Sequence, residues 1–190
     1  MNSHDDEDPL LNELHLDPAA SRLVVRTRAI GMLARLAHDL EITAARLRGR
    51  ARLDGASWTA ELEVDVAGLR VAGILRGDRL DPDALSAGDR REIERRMREE
   101  VLRGTEVVAV RASGATRDRA EVRVQVASGS AALTARLSSH DRGDGAVGVV
   151  GGCQLSLSAL GVPEIKGPLG AFRVRDELEI LVDLTLRPAG

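Results

Sequence analysis

Apolar and polar residues alternate from near one end of this chain to the other, and one highly charged segment interrupts them. A period of two puts one face of a strand in a core and the other in water. Many such strands in 190 residues must stack as a sandwich or close as a barrel. A barrel has an interior, and what fills it decides what the protein does. A flattened sandwich gives the same alternation, so the pattern alone leaves the hollow open.

The length is that of one domain with a sizeable core. Hydrophobic residues at 43% and charged residues at 30% make it globular rather than disordered. A formal net charge of -3 leaves no basic surplus to neutralise phosphates, which makes nucleic acid a poor partner. The single cysteine, Cys153, cannot form an internal disulfide and fits a reducing compartment. The start, Asp5-Asp6-Glu7-Asp8, is acidic where a secretory signal is basic and then apolar, and no apolar run is long enough to span a bilayer. The expectation is a cytoplasmic protein with no stable membrane insertion; an exported one would need a different start. Aromatics are reduced to one Trp and one Phe, although strands usually favour them. GC-rich coding accounts for that composition, and slender aliphatic side chains would also leave space in a wide barrel.

Residues 1–17 read as a frayed acidic tail, with Leu10, Leu11, Leu14 and Leu16 free to dock on a domain spanning 18–188. The first strand is 21–28, with Leu23, Val25 and Thr27 on one face, followed by an apolar link over 31–39. One strand then runs from Leu40 through Ala45 to Leu53, ending at an Asp54-Gly55 hairpin signal. Residues 58–66 alternate without error, so Trp58, Ala60, Leu62, Val64 and Val66 face inward. After a loop holding Gly77 and Pro82, Ser86 and Asp89 resemble a capping box opening a helix over 87–103. Its apolar stripe is Ile93, Met97, Val101 and Leu102, and its Arg and Glu residues pair in solvent. Strands resume at 106–111, 121–126 and 131–137; residues 140–145 read as a loop; 146–150, 153–160 and 174–186 complete the set. Gly148, Gly151 and Gly152 mark a bend or bulge. The fold class is mainly β, an antiparallel barrel of about eight strands with one inserted α-helix.

No constellation supports catalysis. Ser138-Ser139-His140-Asp141 has the residue types of a hydrolytic triad, but sequence neighbours seldom meet in the required geometry, and no G-x-S-x-G elbow is present. His38-Asp39 lacks further ligands at metal-site spacing. The expectation is a protein that is not an enzyme and uses no metal or cofactor.

Several segments resemble the YceI-like family of lipocalin-like lipid-binding domains. Val25-Arg26-Thr27, followed by Gly31-Met32-Leu33 and Leu36-Ala37-His38-Asp39-Leu40, looks like the family's opening hairpin. The segment 80–101, with Ser86, Ile93 and Met97, sits where the family places its helix, and 106–111 matches the strand after it. Most specific is Gly167-Pro168-Leu169-Gly170-Ala171-Phe172-Arg173-Val174, running on to Ile180, which resembles the family's final loop and last strand. The resemblance covers residues 19–187 and implies a lipocalin-like barrel holding a long apolar molecule, a polyisoprenoid or similar lipid.

On that reading the protein binds without catalysis, for transport, storage or sensing. The candidate wall is Val25, Leu40, Ile42, Leu62, Val64, Val122, Val124, Leu155, Leu157, Val174, Leu178, Ile180 and Val182. Leu33, Leu36 and Phe172 lie in links where they would gate an entrance. The alternative is a structural or protein-interaction barrel with a filled core and no ligand. The oligomeric state is left open, a homodimer included.

Overall fold

The computed structural model describes residues 13–30, 38–167 and 173–188. The elements in chain order are β1 (Glu13–Leu16), a 3-10 turn (Pro18–Ala20), β2 (Arg22–Thr27), β3 (Ala29–Ile30), β4 (Asp39–Ala44), β5 (Leu47–Asp54), β6 (Ser57–Asp65) and β7 (Leu69–Arg76). They continue as β8 (Arg79–Asp81), α1 (Ala87–Arg96) with a π-helical turn (Met97–Val101), β9 (Val107–Gly114), β10 (Arg119–Val126), β11 (Gly129–Gly143), β12 (Ala146–Ser156), β13 (Arg173–Val174) and β14 (Glu177–Pro188).

Eight strands close an antiparallel ring in the order β1-β5-β6-β9-β10-β11-β12-β14, with β1 returning to β14. Closure removes the free edges that an open sheet would expose. From β14 the sheet also continues through β2, β4, β7 and β8, which raises the wall on one side. The β5–β6, β9–β10 and β11–β12 turns share one end of the barrel, the hairpin end. At the other end α1 packs its Ile93 and Met97 against a buried cluster of Leu23, Ile42, Leu47, Val64, Val66, Leu69 and Val71. Charged residues cover the outside, where cross-strand partners such as Arg50 and Glu61 meet at 2.7 Å.

The mainly β barrel with its one helix is as expected, and several element boundaries are not. Residues 13–16 are no frayed tail. Leu14 pairs opposite Ala51 and opposite Pro188, so β1 is the stave that seals the ring. A 3-10 turn then lifts the chain off the sheet, and Thr185 holds the gap. Its N–H donates to Ser21 Oγ at 3.0 Å and its hydroxyl to the Ala20 carbonyl at 2.9 Å. Leu10 and Leu11 lie outside the described residues.

The run expected as one strand over 40–53 breaks at Ala45-Arg46. The Ala45 N–H turns to the Gly68 carbonyl at 2.9 Å, and β4 pairs with β2 and β7 while β5 pairs with β1 and β6. Val66, expected as an inward strand residue, sits in a buried 3-10 turn at the same corner. The strand expected over 174–186 is likewise broken, at Arg175-Asp176. There Asp176 accepts from Ser156 Oγ at 2.6 Å and the Ser158 N–H at 2.8 Å.

The loop expected at 140–145 is mostly strand: β11 continues to Gly143, and the turn is confined to Asp144-Gly145, both at positive φ. Nor do Gly148, Gly151 and Gly152 bend the chain, since β12 keeps register with β14 across all three. A β-carbon on Gly148 would collide with the His140 ring and with Arg142 on β11, so that glycine makes room for a neighbour's side chain rather than a corner.

Strand β7 has no counterpart in the expectation. Leu69, Val71, Gly73, Ile74 and Leu75 are buried on both of its faces, which erases the alternation. Its free edge is finished by the helix. Arg90 Nη1 donates to the Val71 and Ala72 carbonyls at 2.8 and 2.9 Å, and Glu94 Oε1 accepts from the Val71 N–H at 3.0 Å. These two helical charges were expected to pair in solvent; instead they stand in for a missing strand.

Candidate functional site: the hollow of the barrel

The alternation carries one residue in two to the inside of each ring strand, and those residues are aliphatic. On β14 the inward set is Leu178, Ile180, Val182, Leu184 and Leu186, facing β12's Leu155, Cys153, Val149 and Val147. Across the barrel, β6, β9 and β10 contribute Ala60 and Leu62, Val110 and Ala112, and Val122. These side chains do not meet in the middle. They enclose a cavity of about 650 Å³, within the range of small-molecule pockets.

Partial exposure of inward-facing aliphatics records the same hollow. Val25, Leu40, Leu62, Val122, Leu178, Ile180 and Val182 face the interior, yet none is fully buried. An inward residue of a filled barrel would be covered by its opposite number. Small side chains explain the space: Ala60 stands directly beside Ala112, and Ala120 beside Ala135.

The wall residues named from sequence come together here. Val25, Leu40, Ile42, Leu62, Val64, Val122, Val124, Leu155, Leu157, Val174, Leu178, Ile180 and Val182 all line the cavity. Leu33, Leu36 and Phe172 lie outside the described residues. Sequence reasoning passed over Val108, Val110, Leu133, Leu184, Leu186 and the helix side chains Ile93, Met97, Val101 and Leu102, which line it too. For the strand residues the signal was present, since they share parity with the residues chosen. For the helix, the stripe was seen but not which surface it faced.

The lining is mostly apolar. At the helix end the lining includes Thr27, Arg28, His38, Arg96, Glu100 and Lys166. Arg28 is bonded to Asp39 at 3.1 Å, to Asp78 at 3.3 Å and to the Gly77 carbonyl at 3.0 Å. Asp39, ahead of the other contacts, raises the Arg28 guanidinium pKa above its ordinary value. Arg96 is bonded to Glu100 at 3.0 Å, which holds the Glu100 carboxyl below its usual range. Lys166 lies 3.2 Å from Glu164. Midway along the wall, burial pushes the Cys153 thiol above its ordinary pKa.

The residues suspected of chemistry are dispersed. Ser139 lines the cavity, whereas His140 is exposed and takes an Arg142 N–H at 3.3 Å. Asp141 accepts from the Gly143 N–H at 2.7 Å, which serves the turn. Asp39 is committed to Arg28 and to the Ala29 N–H at 2.8 Å, not to His38. Among the described residues no group of three or more His, Cys, Asp or Glu could hold a metal ion. No helix among them is long and apolar enough to cross a membrane.

Compared by sequence, the chain matches no family model and no curated protein. Compared by structure, it is similar to BcnA of Burkholderia cenocepacia, with a TM-score of 0.62 and 15% identity over 90% of this chain and 98% of that one. It is also similar to a polyisoprenoid-binding domain from Saccharophagus degradans implicated in plant cell wall breakdown, with a TM-score of 0.65 and 12% identity over 94% of this chain and 99% of that one. At such identity the likeness is one of fold: the chain forms a YceI-like barrel.

Proposed function

We propose that this protein is a non-catalytic carrier whose barrel holds one long apolar chain, a polyisoprenoid or a lipid of similar shape. The observation that carries the reading is the cavity of about 650 Å³ with an aliphatic wall. Each methylene moved from water into such a wall gains about 0.8 kcal/mol. Nothing polar in the middle of the wall demands a partner, so affinity would come from burial and selectivity from the shape of the hollow. The similar domain from Saccharophagus degradans supports the ligand class. The unfilled interior speaks against the alternative of a solid barrel that serves only as a docking surface. The lone cysteine fits a cytoplasmic site of action.

Native mass spectrometry of the purified protein, followed by organic extraction, is the test. Bound prenyl or acyl chains, or uptake of added ones, support the carrier; a clean apo mass that stays clean in their presence overturns it. Two substitutions sharpen it. Leu62→Trp fills part of the hollow, so uptake falls while the fold survives. Val64→Asp puts a charge at a buried wall position, and both uptake and stability fall.

A further inference from the structure

On the outside of the barrel two faces treat arginine differently. On or beside β5, arginines meet carboxylates across the strands: Arg46 with Asp65 at 3.2 Å, Arg48 with Glu63 at 3.2 Å, Arg50 with Glu61 at 2.7 Å and Arg52 with Glu13 at 3.0 Å. On β9, β10 and β11 arginine meets arginine. Arg123 stands in register with Arg111, and Arg119 with Arg136. Side chains directly opposite leave a sheet about 5 Å apart, and like charges so placed cost stability.

All four are exposed. Arg111 reaches only Glu61, at 3.9 Å, which Arg50 already holds, and Arg119 reaches Glu121 at 3.7 Å; among the described residues Arg123 and Arg136 form no ion pair. Glu121 is the one carboxylate on β9 and β10, and β11 adds only Asp141, which is bonded to the Gly143 N–H beside the turn. The neighbouring β12 brings no charge. Opposite Arg136 lies Gly152, and near it Val150 is 43% exposed. The cationic surface also reaches the hollow. Arg117, in the β9–β10 turn, is exposed and lines the cavity. Its neighbour Asp118 is bonded to Thr116.

We propose that the outer face of β9, β10 and β11 docks on an anionic lipid bilayer. The proposal rests on the carrier reading above and adds the partner from which cargo is taken. A bilayer fits this face better than a nucleic acid does. The face offers no aromatic side chain on which a base could stack, and an exposed valine beside unpaired arginines suits a surface of headgroups over hydrocarbon. Each arginine near such a surface adds to the attraction, and salt screens it.

The experiment uses the whole protein and vesicles of phosphatidylcholine, with or without one quarter phosphatidylglycerol, with binding read by co-sedimentation. Binding is expected to the anionic vesicles alone, and to fall as sodium chloride is added. Arg123→Gln with Arg136→Gln is expected to weaken it by about tenfold or more. Arg48→Gln with Arg52→Gln removes the same two charges from the paired face and is expected to leave it unchanged. The first pair is also expected not to lower the melting temperature, since it relieves repulsion. Absence of binding at low salt, equal binding to neutral vesicles, or equal loss in both pairs overturns the proposal. So does a lower melting temperature in the first pair, which would give these arginines to the fold. Capture of single-stranded RNA or of an acidic peptide without vesicle binding overturns it too and assigns the face to another polyanion. Uptake of prenyl chains, read separately by native mass spectrometry, keeps the two readings apart. Uptake without vesicle binding sinks the docking face alone, and vesicle binding without uptake sinks the carrier.

Discussion

Cys153 occupies a wall position on β12 opposite Ile180, among aliphatic neighbours. Burial raises its thiol pKa, so at mildly alkaline pH less of it is thiolate than of an open thiol. Alkylation by iodoacetamide is expected to be slower than that of a free cysteine, and slower again once an apolar chain fills the cavity. The measurement is the labelled fraction against time by intact mass. Loading that leaves the rate unchanged would place the ligand elsewhere. At this scale much was legible in advance. Parity within 58–66 placed Trp58, Ala60, Leu62 and Val64 on the inside without reference to any partner strand. What parity could not show is that Ala60 faces Ala112, because register between strands far apart in sequence is set by the closed ring.

Helix α1 joins two features that were read separately. Ser86 caps it, its Oγ accepting the Asp89 N–H at 3.1 Å, while the Asp89 carboxylate takes the Ser86 hydroxyl at 2.6 Å. The acid thus binds the cap's hydroxyl rather than its backbone N–H, a variant of the box expected. Ser86→Ala is expected to cost about 1 kcal/mol, read as a lower urea midpoint at unchanged slope. A π-helical turn follows, and Met97 and Val101 within it line the hollow. The stripe and the cap were visible in sequence. The role of Arg90 and Glu94 was not, because a charge that satisfies backbone on a strand edge looks the same in sequence as one that faces water. Strand β7 escaped for the converse reason: buried on both sides, it carries no alternation to read.

The molecule as a whole relies on many carboxylates whose partners hold them ionised. Arg187 lowers the pKa of Asp17, Arg50 that of Glu61, Arg46 that of Asp65, Arg76 that of Asp81, and the Ser156 hydroxyl that of Asp176. A carboxyl whose folded pKa is depressed stabilises the fold fully above its unfolded value, about 4, and loses that contribution as pH falls through the folded value. Thermal stability is therefore expected to be level through neutral pH and to decline below about pH 4. Added salt should shrink the change, since these groups are at the surface. A melting temperature that fell as pH rose from acid to neutral would contradict this.

The ring is sealed where its first stave meets its last, Leu14 beside Pro188 and Leu16 beside Leu186. During synthesis the ring stays an open trough until β14 has left the ribosome and can pair with β1. The same adjacency would let a short tether join these two segments while new termini were opened at an exposed hairpin such as Asp54-Gly55, giving a permuted barrel in which the last seam to close lies elsewhere.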